Sequence, residues 1–185
     1  MSKPTVELEQ AAHRVLRYLL RTRDLGLRFE RSRVPLHGYS DSDWGVKASI
    51  SAYVFFLAGA AISYLSKKQP TIAMSSTEAE IYAASLAGLE AVFLRALLSY
   101  LKPGMVVRET KIDVDNKGAV DMSEDYVANS RNRHFTRRHL KIRELVEDEI
   151  VRLRKIHTDD NTSDIMTKYL AKNRFEKLRK KLLSM

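Results

Sequence analysis

The sequence predicts an α/β fold on a mixed five-stranded sheet, three strands antiparallel and then two parallel, flanked by helices. Two β-branched or aromatic runs, at 53–58 and 61–65, lie about Gly59 and read as a hairpin. A short strand at 36–42 precedes them, so the first three strands form an antiparallel meander. Two later strands, at 111–115 and 150–156, are each reached through helical segments, the kind of connection that parallel pairing requires.

Each element has its own signal. Leu8, Ala12, Val15 and Leu19 recur at helical spacing in 5–22, and Gly26 marks the stop. Ser66-Lys67-Lys68-Gln69-Pro70 is basic and proline-containing and reads as a loop. Ser75-Ser76 begins a long helix to Leu101, ended by Lys102-Pro103-Gly104. Residues 116–122 form a short helix, and the basic run from Asn132 leads into another at 140–147. Val151, Leu153 and Lys155 alternate with Arg152, Arg154 and Ile156, the period of a strand. Asn161 caps a final helical region, in whose tail Phe175, Leu178 and Leu182 share a face.

Composition narrows the functional classes. The 185-residue chain has no cysteine, which excludes disulfides and thiolate metal sites. Its longest apolar stretch, 82–101, is interrupted by Glu90 and Arg95, and the N-terminus lacks the apolar core of a signal peptide. The expectation is a cytosolic or nuclear protein, not secreted and without a membrane partner. The net charge of +9 is unevenly placed. Arg131 to Lys155 holds nine Lys/Arg against four Asp/Glu, and Lys168 to Met185 holds seven against one. Such segregation suits a polyanionic partner, since phosphate contacts supply most non-specific affinity; a merely soluble basic surface fits the charge equally well.

The acids form a second pattern. Asp41 and Asp43 stand two apart on one predicted strand, Asp113 and Asp115 on another, so each pair shares a face. Strand ends are where mixed α/β sheets place ligand sites. Hard oxygen ligands without cysteine favour magnesium or manganese over zinc. Solvated, unrelated acids would show the same pattern. Glu78 and Glu80 lie about 200° apart on their helix, and periodicity does not choose between them. Asp164 stands at N3 spacing from Asn161 and could serve as a helix-start acid.

Gly38-Tyr39-Ser40-Asp41-Ser42-Asp43-Trp44, followed by Tyr53 to Leu57, resembles the start of the RNase H domain in copia-type retrotransposon polyproteins. The most specific match is Ile62 to Thr71 followed by Ser75-Ser76-Thr77-Glu78-Ala79-Glu80. Asp115-Asn116, Arg133-His134 and Ser163 to Lys168 complete the pattern in order. Ala11 to Leu19 resembles the segment that joins reverse transcriptase to RNase H.

The resemblance implies the RNase H fold and assigns Asp41 from the first strand, Glu80 rather than Glu78, Asp115 from the fourth strand and Asp164 from the last helix. These would hold two Mg2+ ions, with Mn2+ as substitute, for hydrolysis of the RNA strand of an RNA–DNA hybrid. Asp41 would bridge the ions, Glu80 and Asp115 completing one site and Asp164 the other. Arg131, Arg133, Arg137, Arg138 and Lys141 fall in a basic substrate-binding region, and Ser75, Ser76 and Asn116 flank the acids. His134 and His157 are auxiliary candidates, each equally open to an ordinary structural role; Trp44 is expected to pack. The implied partners are the hybrid and the reverse transcriptase portion of the same polyprotein, in the cytoplasm within a virus-like particle or in the nucleus. Residues 1–35 are expected to be the helical end of the connection segment, 36–170 the RNase H-like domain and 171–185 a basic helical tail. Against the family pattern, the loop at 45–52 is short, Ala52 replaces a glycine, His157 a proline and Thr136 an acid. Those departures keep open a second expectation, a catalytically weakened nucleic-acid-binding remnant.

Overall fold

The computed structural model describes residues 3–46, 48–106, 109–124 and 136–183, with side chains from Arg138 onward in the last span. The elements are α1 (Val6–Arg21), β1 (His37–Asp43), β2 (Ile50–Leu57), β3 (Ala60–Lys68), α2 (Ser76–Leu101), β4 (Thr110–Val114), α3 (Lys117–Glu124), α4 (Thr136–Glu147) and β5 (Val151–Lys155). Two 3₁₀ turns, Thr158–Asp160 and Thr162–Met166, then lead to α5 (Lys172–Leu183). The five strands form one sheet in the order β3-β2-β1-β4-β5. The first three pair antiparallel, and β4 and β5 join parallel, as the element order requires.

The β2–β3 hairpin turns through Ala58 and Gly59, both at positive φ (52° and 80°). Two such residues give the turn whose twist matches the strands it joins. β3 runs on through Lys67 and Lys68, which pair with Ser51 and Ile50, where the sequence suggested a loop. Both lysines are exposed on an edge strand. Charge there discourages pairing with another chain, so the feature that read as a loop is an edge signature.

α2 is the core helix on one side, while Leu89, Val92, Phe93 and Leu97 leave its other side apolar and exposed. Ile81, Ala84, Ala87, Ala91 and Leu94 pack with Phe55, Ile112, Val114 and Leu153 of the sheet and with Ile142 and Leu145 of α4. Burying each larger side chain contributes about 1.5–3 kcal/mol. Among the described helices, α2 alone is long and apolar enough to cross a membrane by length and composition. Its polar interruptions are used inside the fold: Ser63 Oγ donates to Glu90 Oε1 at 2.5 Å, and Arg95 donates to Thr110 Oγ1 at 3.1 Å. By contrast, α1 has no buried residue and presents Val15, Leu16, Leu19 and Leu20 to solvent.

Candidate metal centre

Parallel pairing brings the first two acids together. Tyr39 of β1 stands opposite Asp113 of β4, so two residues further along Asp41 and Asp115 lie level at the C-terminal edge of the sheet. β4 ends at Val114, so Asp115 leaves the strand by one residue instead of lying within it. Asp164 arrives differently. It sits on the second 3₁₀ turn, not on the last helix, because fully buried Asn161 fastens that turn to β1. Asn161 Nδ2 donates to the Ser40 carbonyl at 3.0 Å, while its Oδ1 accepts from the Ser163 N–H and hydroxyl. One carboxylate oxygen from each of Asp41, Asp115 and Asp164 then lies within 4.8 Å of the others.

Glu80 enters from the first turns of α2. Its Oε1 accepts the Ser42 N–H at 3.1 Å, and its buried Oε2 has no hydrogen-bond partner. Glu78 is spent elsewhere. The Ser75 side chain accepts the Glu78 N–H at 3.1 Å, and Glu78 Oε2 accepts the Met74 N–H at 2.5 Å. This is a helix cap of the Ser-x-x-Glu kind, a spacing present in the sequence and able to separate the two glutamates where helical phase could not.

The electrostatics are those of crowded, desolvated acids. Burial pushes the Glu80 carboxyl up to about 8, with Asp41 and Asp115 adding repulsion. Burial also raises Asp41 to about 7, although the Lys168 ammonium and the Thr167 hydroxyl oppose the shift. Burial disfavours the Lys168 charge, yet Asp41 and Asp164 outweigh it and hold the ammonium above the ordinary lysine range. An orphaned buried oxygen among carboxylates is a place for a cation, and an all-oxygen donor set fits a hard divalent ion.

The remaining candidates lie apart from this cluster or are engaged in local structure. Asp113 shares the strand of the site but is taken by Arg154, which donates to its two oxygens at 2.7 and 2.8 Å; Asp43 is exposed. Ser75 caps α2, Asn116 Oδ1 accepts the Ala119 N–H at 3.0 Å to start α3, and His157 Nδ1 accepts the Asp159 N–H at 3.2 Å. Ser76 is exposed beside the cap. On α4 the Arg138 guanidinium lies 3.7 Å from the Tyr82 ring centroid, and Lys141 pairs with Glu144 at 3.0 Å. Arg131, Arg133, His134 and the Arg137 side chain lie outside the described residues. Trp44 donates from its indole to the Ala73 carbonyl at 3.0 Å and is half exposed.

Three residues at the centre had no role in the sequence reading. The Thr167 hydroxyl donates to Asp41, Lys168 bridges Asp41 and Asp164, and Arg174 donates to Asp164. Lys168 follows Asp164 by four positions, a spacing that was available as a signal.

No protein-family model matches the chain. Across all of its length it is 36% identical to the retrovirus-related Pol polyprotein from transposon TNT 1-94 of Nicotiana tabacum. Over 98% of its length it is 34% identical to the retrovirus-related Pol polyprotein from transposon RE1 of Arabidopsis thaliana. The chain spans 14% and 13% of those two polyproteins. Its fold is similar to that of RNase H1 from Halobacterium salinarum, with a TM-score of 0.54 at 13% identity, over 78% of this chain and 98% of the other.

Proposed function

We propose that this chain, homologous over its whole length to retrovirus-related Pol polyproteins of plant transposons and built on the ribonuclease H fold, hydrolyses the RNA strand of RNA–DNA hybrids during reverse transcription. The observation that carries the proposal is the convergence of Asp41, Asp115 and Asp164 beside a buried glutamate oxygen with no partner.

Asp41, Glu80, Asp115 and Asp164 would hold two Mg2+ ions, or Mn2+ in their place. Bound there, the ions would supply an activated water and stabilise the leaving 3′ oxygen. The chain's own work is positional. The Ser42 N–H aims Glu80, Thr167 orients Asp41, and Asn161 holds the Asp164 turn against β1. The basic segments would draw the phosphate backbone towards this edge of the sheet. Arg131, Arg133, Arg137, Arg138 and Lys141 are the proposed contacts there, with Ser75, Ser76 and Asn116 flanking the acids.

Residues 36–170 would form the catalytic domain, 171–185 its basic tail, and 1–35 the end of a preceding reverse transcriptase segment. The exposed apolar residues of α1 support that division. The proposed setting is cytoplasmic, in a virus-like particle, or nuclear.

The test is cleavage of hybrid, duplex RNA and duplex DNA with and without Mg2+. Hybrid-selective, metal-dependent cleavage that Asp115→Asn abolishes is expected. Hybrid binding without turnover would instead identify a non-catalytic remnant. Equal cleavage by wild type and Asp115→Asn would end the assignment.

A further inference from the structure

Lys168 stands where a cation would sit between two of the acids. Its Nζ lies 3.0 Å from Asp41 Oδ1 and 2.9 Å from Asp164 Oδ1, and both carboxylates are fully buried. The second oxygen of each acid is also taken, Asp41 Oδ2 by the Thr167 hydroxyl and Asp164 Oδ2 by Arg174. Glu80 Oε2, whose carboxyl is repelled by Asp41 and Asp115, is buried with no partner. The two halves of the cluster are therefore unlike. One carries the chain's own cations, and in the other the Glu80 oxygen meets neither a cation nor a hydrogen-bond donor.

We infer that Lys168 is an internal counter-ion latch, which occupies the Asp41–Asp164 position in the metal-free protein and must leave it before a divalent ion binds there. The inference rests on reading the cluster as a metal centre. An ammonium and a divalent cation compete for the same two oxygens, because they repel each other at that separation and each weakens the other's hold. Of the two cations on Asp164, Lys168 is the one able to leave. It is a flexible four-carbon stem with 31% of its side chain exposed, and its displaced head can reach water. Arg174 is anchored further, donating to the Thr158 carbonyl at 2.8 Å and facing Asp159 at 3.6 Å, so it stays to orient Asp164. The latch makes the two metal positions unequal: the Glu80 side loads without displacing a cation, and the Asp164 side loads only against Lys168.

Mn2+ titrations of the full chain, by calorimetry and by electron paramagnetic resonance, test this on wild type, Lys168→Met, Lys168→Gln and Lys168→Arg. In the Met and Gln variants the weaker Mn2+ step is expected to tighten by about tenfold or more, while the melting temperature in chelator falls. Gln keeps a donor for Asp41, so it serves if the Met variant does not fold. Lys168→Arg keeps the charge and should bind Mn2+ no more tightly than wild type. Wild-type Mn2+ binding that neither neutral variant changes would overturn the latch and leave the metal centre standing. No Mn2+ binding by folded wild type or any variant would overturn both. Tighter binding by Lys168→Arg would overturn the latch alone.

Discussion

Asn161 and Ser40 lie 121 positions apart, and the Asn161 side-chain amide donates to the Ser40 carbonyl at 3.0 Å inside the protein. That bond joins the turn bearing Asp164 to the strand bearing Asp41, and so decides whether the acids meet. Asn161→Ala removes it together with the cap on Ser163. Leaving the buried Ser40 carbonyl short of a donor costs about 1–3 kcal/mol. The expected variant is less stable by denaturant titration and weaker in Mn2+ binding, with a greater loss of cleavage than of hybrid affinity. Unchanged metal affinity would show that the turn is held by other contacts.

Glu80 and Glu78 should separate cleanly. Glu80→Gln is expected to abolish cleavage while the metal-free protein at pH 8 becomes no less stable, since a buried, strained charge is removed. Glu78→Ala loses the hydrogen bond to the Met74 N–H, about 0.5–1.5 kcal/mol, and keeps cleavage. Thermal melts and a hybrid-cleavage assay on both variants check this, and the reverse outcome would exchange their roles.

Stability in chelator should depend on pH in a definite direction. Glu80 and Asp41 are raised to about 8 and about 7, well above the ordinary carboxylate range, so the folded protein keeps protons that the unfolded chain has released. The metal-free protein is therefore most stable below the unfolded values, and loses stability as pH rises through the folded ones. Mg2+ needs the ionised carboxylates, so its stabilising effect should grow over the same interval. Melting curves in chelator and in Mg2+ from about pH 5 to about pH 9 would show the two lines diverging. Parallel lines would contradict the burial argument.

Two glycines make opposite predictions under substitution by alanine. A Cβ on Gly38 would lie 2.6 Å from the buried Phe55 ring, which has nowhere to move. Overpacking of that kind costs about 1–3 kcal/mol. A Cβ on Gly88 would meet the Leu145 Cδ1 tip at 2.8 Å and the Ile142 Cδ1 tip at 3.0 Å. Those tips can rotate, and alanine regains about 0.8–1 kcal/mol of helix propensity. Gly38→Ala should melt clearly lower and Gly88→Ala close to wild type.

Removing residues 1–24 should leave a folded, active domain. No residue from 3 to 35 is buried, and the deletion's main loss is the Tyr18–Phe175 edge contact at 6.0 Å. An aromatic pair is worth about 0.5–1.5 kcal/mol, a fall of about 1–6 °C in melting temperature. Failure to fold would place α1 inside the domain.

Much of the centre is legible in the amino-acid sequence. Asp41 and Asp115 stood out because strand periodicity and motif agreed, and the hairpin about Gly59 carried its own turn chemistry. The edge lysines Lys67 and Lys68 misled, because exposed charge marks an edge strand as readily as a loop. Asp113 looked equivalent to Asp115, and only the register opposite Arg154 shows that it is spent on an ion pair. Local patterns encode which residues share a face. They do not encode which neighbour arrives there.

The sequence by itself determined the strand and helix order, the mixed sheet and the shared faces of the strand acids, all of which follow from short-range periodicity and backbone preference. Tertiary structure decided the rest. It fastened Asp164 to β1 through Asn161 and set Lys168 between two buried carboxylates. Each depends on groups brought together from distant parts of the chain, where burial makes a missing partner costly and a single bond decisive.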